Sequence, residues 1–153
     1  MVDYVYAVHN LINLWRFLAA HTVRATRRGL QENSMAYVDG FVVPVPTDKI
    51  EQYRKIATTA GAIWREYGAL EYREWIAEDV KPGKLTSFPQ SVDLQPGETV
   101  IFAWIVYESR EQRDAINEKV MNDPRLASMM DMSSMPFDGK RMIFGGFEHL
   151  VDA

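Results

Sequence analysis

Two carboxylates lie in segments that otherwise resemble apolar β-strands, and they are the strongest candidates for proton transfer. Asp39 precedes Gly40 in AYVDGFVVPVP, and Glu71 lies in ALEYREWIAED. Burial among apolar side chains raises the pKa of a carboxyl group, which suits a general acid or base. A structural interpretation is open for each residue as well. Asp39 would then face solvent or pair with Arg73 or Arg141, and Glu71 would form an ion pair with Arg73 across a subunit interface.

Aromatic residues near these carboxylates could line a pocket for a flat, apolar ligand. Trp75 shares a strand face with Glu71, and Phe102 shares one with Trp104, since alternate residues of a strand point the same way. Phe88 lies between these two strands in a Ser-Phe-Pro sequence, where we expect it to act as a lid. The same spacing also suits side chains of the hydrophobic core, so both interpretations stay open.

The remaining chemistry-bearing residues point away from a metal or cofactor site. His149 is the last of three histidines and the sequence contains no cysteine, which excludes zinc–thiolate and iron–sulfur centres. No glycine-rich phosphate-binding motif precedes a helix. We therefore predict no metal and no bound cofactor. His149 is either a pocket residue or a partly exposed residue near the end of the last strand.

Methionine is concentrated near the carboxyl terminus, where thioether sulfurs could bind a soft metal such as copper(I). Methionine also fills irregular gaps beneath loops, and no histidine accompanies these sulfurs. We expect them to serve in packing, with a ligand-contacting surface and a metal site as alternatives. The residues are Met121, Met129, Met130, Met132, Met135 and Met142.

The length and composition of the chain are typical of a single globular domain. The protein has 153 residues, of which 47% are hydrophobic and 25% charged, and its net charge is −4. An acidic chain without a basic stripe gives no reason to expect nucleic-acid binding. The lack of cysteine suits a reducing cytoplasm, which is the location we expect.

Residues 1–34 differ in composition from the rest, being apolar first and then rich in arginine. Arg16 and two histidines interrupt the apolar run, so we expect no membrane span, and the charge order does not fit a secretory signal. An amphipathic targeting helix is one alternative. We expect an extension outside the folded domain, which would cover residues 35–153, and predict that residues 1–34 are dispensable for folding.

The apolar pattern after residue 35 predicts four β-strands rich in β-branched and aromatic residues. The connection between the second and third strands contains two Pro-Gly pairs and is long for a hairpin, as functional lids often are. The strands are expected at residues 36–46, 69–79, 99–108 and 140–151.

Three helices are predicted between these strands. The first follows an N-cap at Thr47, has an apolar residue every three or four positions, and ends at Gly68. The second begins at the Ser109–Gln112 capping box and directs Ala115 inward. A short third helix begins at Pro124, where proline suits the first turn.

The order βαββαβ predicts an α+β protein with the ferredoxin-like fold, in which both main helices cover one face of an antiparallel sheet. The third strand is apolar on both faces, although helices can cover only one. The same face of a second copy would bury the other side. We therefore predict a homodimer that packs sheet against sheet.

Long segments resemble the YbaA-like family of uncharacterised bacterial proteins, among them MAYVDGFVVPVP, LTSFPQSV, FAWIVYESREQRDAINEKVM and MPFDGKRMIFGGFEHLVDA. The resemblance extends from Met35 to Ala153 and implies a ferredoxin-like fold that forms a dimeric α+β barrel. It brings no activity, substrate or catalytic residue. Enzymes of the wider superfamily place ligands between sheet and helices or inside the barrel, which is an argument by analogy of fold.

Two functions remain open at this point. The first is a cofactor-independent enzyme that acts on a hydrophobic or aromatic small molecule, with Asp39 or Glu71 as the acid or base. The second is a non-catalytic dimer that binds a small molecule or regulates another process. An enzyme needs a titratable group buried beside its ligand, whereas a binding protein needs only shape and aromatic surface.

Overall fold

Four strands form one antiparallel sheet in the computed structural model, which describes residues 36–129 and 135–151. The order β2-β3-β1-β4 places the two long apolar strands in the centre and the two shorter, more polar strands at the edges. This topology confirms the predicted ferredoxin-like α+β fold. The strands are β1 (Tyr37–Pro46), β2 (Glu71–Ile76), β3 (Glu98–Tyr107) and β4 (Ile143–Glu148).

Three helices contribute side chains to a core on one face of the sheet, here called the covered face. They are α1 (Ile50–Glu66), α3 (Arg110–Met121) and α4 (Pro124–Met129). The periodic apolar side chains of α1 supply Tyr53, Ala60 and Trp64 to this core, as the spacing predicted. Burial of this apolar surface is the main source of stability for the arrangement. The covered face therefore forms the hydrophobic core.

The predicted start of α1 was wrong, whereas its predicted end was correct. Thr47 does not cap the helix, because a 3-10 turn at residues 47–49 comes first, and the Thr47 hydroxyl donates instead to the carbonyl of Gly97. The end at Gly68 was predicted correctly. Gly68 has φ of 112°, and the amides of Gly68 and Ala69 donate to the carbonyls of Arg65 and Trp64, which is a Schellman motif.

The connection between β2 and β3 contains a short helix, α2 (Phe88–Ser91), where we predicted only a loop. The Ser87 hydroxyl caps this helix by accepting from the Gln90 backbone amide, and it donates to the Gln90 side-chain oxygen. Val92, just after the helix, packs against Val42 and Val100. The connection therefore lies against the sheet side opposite the main helices, here called the open face.

Two smaller predictions were also wrong: the inward orientation of Ala115 and the lengths of the edge strands. Ala115 is exposed, and its neighbours Arg113 and Asn117 are the polar residues of α3 that point inward. The edge strands β2 and β4 have six residues each, because they end where pairing with the central strands ends. The predictions on residues 1–34, Met130 and Met132 lie outside the described residues.

Candidate functional site

The structure brings four of the predicted pocket aromatics together on the open face. Trp75 of β2 stacks on Trp104 of β3 with ring centroids 5.7 Å apart, and Trp104 lies 5.6 Å from Phe102. Phe88 of α2 meets Phe102 edge-on at 5.7 Å. Trp75 is 54% exposed and Phe102 is 42% exposed. The open face thus carries a strip of aromatic surface that is accessible in the single chain.

Glu71 and Arg73 share the open face with this strip, as their spacing predicted. The Arg73 Nε lies 3.5 Å from a Glu71 carboxylate oxygen, and both side chains are about half exposed. An ion pair in such a position contributes roughly 0–1 kcal/mol to stability. Glu71 therefore sits beside the aromatic strip as a solvated carboxylate.

Asp39 lies on the covered face, on the opposite side of the sheet from Glu71. It is 2% exposed, and its carboxylate accepts from the Arg113 Nε at 2.9 Å. Asn117 donates to the same carboxylate at 3.4 Å. The partner is thus neither Arg73 nor Arg141. The Asp39 carboxylate is therefore too deeply buried for a substrate to reach it.

Burial and hydrogen bonding act in opposite directions on the pKa of Arg113, the other member of this pair. Burial lowers the pKa of the Arg113 guanidinium, but hydrogen bonds and charge interactions with Asp39 and Asp114 outweigh it and hold the pKa above its ordinary value. Arg113 therefore remains charged inside the protein. The pair has the character of a structural ion pair rather than a proton donor and acceptor.

His149 follows the last residue of β4 and is exposed, so it lies at the end of the strand as the structural interpretation expected. Within residues 36–129 and 135–151, no cluster of three or more His, Asp or Glu side chains could hold a metal ion. In the same segments, no helix is both long and apolar enough to cross a lipid bilayer.

Met121, Met129 and Met142 lie at separate places in the structure. Met129 packs against the core cluster that contains Trp64 and Leu126, whereas Met142 packs against a different cluster around Tyr53. Met121 is partly exposed at the end of α3. Packing at separate places is the role we expected for these side chains.

A cleft between α1 and β2 contains a candidate group, the Glu74 carboxyl, that the sequence did not lead us to predict. Its volume is ≈ 430 Å³, a size that suits a small organic molecule. Apolar side chains and tyrosine rings form most of its wall, and two arginines lie on its helical side. The lining residues are Ile50, Tyr53, Arg54, Ala57, Thr58, Gly61, Ala62, Arg65, Tyr72, Glu74 and Ile76.

Among the described residues that line this cleft, Glu74 is the only acid, and two tyrosines bind it. The hydroxyl of Tyr53 from α1 donates to one carboxylate oxygen at 2.7 Å, and the hydroxyl of Tyr72 donates to the other at 2.8 Å. Burial raises the pKa of Glu74, and the two hydrogen bonds oppose that rise without cancelling it. The pKa of Glu74 therefore lies above that of an ordinary glutamate.

The hydroxyls of the two tyrosines have pKa values raised above that of an ordinary tyrosine, so both are protonated at neutral pH. Burial is the main cause that raises the pKa of each hydroxyl, and the neighbouring Glu74 charge and hydrogen bond raise it further. Each hydroxyl is consequently a fixed donor to the Glu74 carboxylate. The arrangement is a half-buried carboxyl group with two hydrogen-bond donors, at the edge of an apolar cleft.

One sequence signal could have identified Glu74. Strand alternation places Tyr72, Glu74 and Ile76 on the side of β2 opposite Glu71, and that side turns out to be the covered face. A charged residue between two apolar ones on a core-facing side needs a partner or a function. Tyr53, which supplies a partner, belongs to the apolar stripe of α1.

Phe88→Ala should lower the free energy of unfolding by only about 1–2 kcal/mol, less than the roughly 3–5 kcal/mol of a fully buried phenylalanine. Phe88 is 47% exposed, whereas Pro89 and Val92 supply the buried contacts of this segment. Urea unfolding measures the change, with Leu85→Ala, at a 95% exposed position, as the control. A loss of 3–5 kcal/mol would make Phe88 a core residue and end its interpretation as a lid.

Comparisons with known proteins give a family and no activity. Residues 36–139 match the family model described as "Protein of unknown function (DUF1428)". The chain is 52% identical over 118 residues to "Uncharacterized protein YbaA" of Escherichia coli strain K12 and to that of Shigella flexneri, covering 77% of this chain and 99% of each relative. It is also similar in structure to an uncharacterised NIPSNAP domain protein from Burkholderia xenovorans, with a TM-score of 0.44 and 15% identity over 76% of this chain and 94% of that one.

Proposed function

Because the chain belongs to this family of proteins of unknown function, we propose a function from the geometry of the cleft: cofactor-independent proton transfer on a small, largely apolar molecule. Glu74 is the general acid and base of the proposal. Asp39 and Glu71, the candidates favoured by the sequence, are not. The proposal assigns this activity to a protein of the cytoplasm.

The observation that carries the proposal is the position of Glu74 between two tyrosine hydroxyls in the wall of an apolar cleft. An enzyme for proton transfer needs a titratable group beside its substrate with a pKa closer to neutrality than that of a free carboxyl group. Glu74 meets both requirements. Asp39 is bound to Arg113 inside the core, and Glu71 is solvated.

The proposed step begins with the ionised Glu74 and a carbon acid, for example a ketone. The carboxylate accepts a proton from the carbon beside the carbonyl group, and the electron pair of the broken C–H bond forms an enolate. Glu74, now protonated, returns a proton to the same or a neighbouring position and regains its charge. No electrons are gained or lost overall, so the step requires no redox cofactor.

Arg54 supplies a positive charge for the enolate oxygen. Its Nε is 3.3 Å from Glu51, and its two terminal nitrogens make no hydrogen bond to the described residues. Arg65, the other arginine of the cleft, uses Nη1 on the backbone carbonyls of Ala69 and Leu70. Arg54 therefore has both terminal nitrogens without a hydrogen bond to the described residues, whereas one terminal nitrogen of Arg65 is engaged, and we assign the charge-stabilising role to Arg54.

The test uses 2-indanone, a flat apolar ketone with acidic C–H bonds, dissolved with the protein in deuterium oxide. We expect the protein to accelerate deuterium incorporation above the buffer rate, as followed by proton NMR. Acceleration should increase with pH as Glu74 ionises, with a midpoint above that of an ordinary glutamate. Binding at the cleft without acceleration would favour the non-catalytic function, and no binding at millimolar 2-indanone would overturn the proposal.

A second candidate, the binding or regulatory homodimer, is supported by a different observation. The aromatic strip and Phe147, which is 60% exposed, both leave apolar surface accessible on the open face of the sheet. We propose that a second copy covers this surface, since isologous packing buries the same patch twice.

We expect the protein to be a dimer at micromolar concentration, and Trp75→Glu to shift it toward monomer because an isologous interface would bury one unpaired carboxylate from each copy. Static light scattering gives the mass directly. Leu85→Glu introduces the same charge at an exposed position away from the sheet and should leave the mass unchanged. A wild-type monomer at these concentrations would overturn the dimer.

A further inference from the structure

The middle of helix α1 contains a glycine where helix propensity argues against one. Gly61 lies between Ala60 and Ala62 within a helix of 17 residues, and its φ is not in the left-handed region. Alanine is more favourable than glycine at such a position, since glycine loses more backbone freedom on folding. A glycine here therefore indicates a need for space.

The ring of Tyr72 occupies that space. A Cβ at position 61 would lie 2.7 Å from Tyr72 Cδ1, 3.0 Å from Cε1 and 3.1 Å from Cγ. Contacts under 3.0 Å are essentially forbidden, so either the ring or the helix would have to move. The ring consequently lies directly against the backbone of α1.

Two further contacts hold Tyr72 in this position. The Trp64 ring lies tilted against it with centroids 6.1 Å apart, and the Trp64 Nε1 donates to the buried Asn117 at 2.9 Å. The Tyr72 hydroxyl in turn donates to Glu74 at 2.8 Å. The ring is thus fixed by packing on one side and by Trp64 on another, and its hydroxyl has one defined acceptor.

We propose that Gly61 is a positioning residue: its missing side chain makes the space that seats the Tyr72 ring and so fixes the Tyr72 hydroxyl on the Glu74 carboxylate. This inference rests on the proposed function, because it concerns the same carboxyl group. The inference goes beyond the proposed function because it assigns control of the Glu74 pKa to a glycine of the facing helix.

The charged and titratable groups that line the cleft with Glu74 are Tyr53, Arg54 and Arg65 from α1, and Tyr72 from its own strand. Within the part of the chain that the structure describes, the two tyrosines are the side chains that bind the carboxylate directly. A hydrogen bond to a carboxylate favours the charged form, so loss of the Tyr72 bond raises the pKa of Glu74. Gly61→Ala and Tyr72→Phe should therefore shift the Glu74 titration in the same direction.

The experiment follows the carboxyl carbon of Glu74 by NMR in protein labelled with ¹³C-glutamate, across a pH titration. We expect an upward shift of the Glu74 pKa in Gly61→Ala and Tyr72→Phe, and none in Gly139→Ala, where an added Cβ meets nothing within 4 Å. Deuterium exchange into 2-indanone should fall roughly 10- to 100-fold in Gly61→Ala, as expected for a misplaced catalytic geometry.

A second experiment tests the proposal if the Gly61→Ala protein does not fold. In a Tyr72→Ala protein the ring is gone, so Gly61→Ala should stabilise the helix rather than destabilise the protein. Destabilisation in that background as well would overturn the proposal, as would an unchanged Glu74 pKa in a folded Gly61→Ala protein. Because the titration needs no substrate, its outcome is independent of whether Glu74 transfers protons.

Discussion

Arg113→Met should lower the free energy of unfolding by roughly 3–5 kcal/mol, the largest effect we expect from a single substitution on the covered face. The Asp39 carboxylate would lose the Nε bond at 2.9 Å and stay in a position that is 2% exposed. The neutral Asn117 amide, which donates at 3.4 Å, would remain near the carboxylate but carries no compensating charge. A buried charge without its counter-ion is costly, which is the reason for the large loss.

Urea unfolding of matched variants measures this effect. Glu51→Gln breaks an ion pair whose side chains are both mostly exposed, and should cost at most about 1 kcal/mol. The double variant Asp39→Leu, Arg113→Met removes both charges and should lose less than Arg113→Met alone. A loss below about 1 kcal/mol in Arg113→Met would mean that the pair is not the structural element described here.

The sequence predicted the fold because its signals were local and agreed with one another. The stripe of α1, the glycine at its end and the capping box before α3 specify helices independently of tertiary contacts. Because β3 is apolar on both faces, the sequence also predicted that one face of the sheet is not covered by helices. The structure places Trp75, Phe102 and Trp104 on that face. The helix α2 had the same capping-box signature at Ser87, but its four residues were too short for a periodic pattern.

The candidate site was predicted less well, because pairing between distant residues decides what a carboxylate does. Asp39 and Arg113 are far apart in the sequence, and nothing local shows that α3 brings an arginine to β1. Glu74 becomes notable only once Tyr53 from α1 is seen to reach it. Alternation placed Glu71 and Glu74 on opposite faces correctly, but could not say which face bordered a cleft.

Glu74→Gln should reduce deuterium exchange into 2-indanone by roughly 10²–10⁴-fold, the range that a positioned general base contributes. Glutamine keeps the size of the side chain and one of the two acceptor oxygens, while its amide nitrogen replaces the oxygen that the other tyrosine contacts, and it cannot take up the proton. Binding of 2-indanone should change little, because the apolar wall of the cleft is untouched. The loss should therefore appear in kcat rather than in KM.

Stability should respond to the same substitution in a pH-dependent way. The folded protein holds the Glu74 proton more tightly than the unfolded chain, since burial raises the pKa of Glu74. The contribution of this group is therefore fully present below the unfolded pKa and is lost as pH rises through the folded pKa. Glu74→Gln should remove that loss, so urea unfolding at pH 5 and pH 8 should show a smaller difference than in the wild type.

The most direct measurement compares Glu74→Gln with Glu71→Gln in the 2-indanone exchange assay. The two glutamates lie three residues apart on β2 and face opposite sides of the sheet, so the pair is matched in chemistry and strand. We expect Glu71→Gln to exchange at the wild-type rate and Glu74→Gln to fall to a rate near that of buffer. Wild-type exchange in Glu74→Gln, or an equal loss in Glu71→Gln, would contradict the assignment of proton transfer to the cleft.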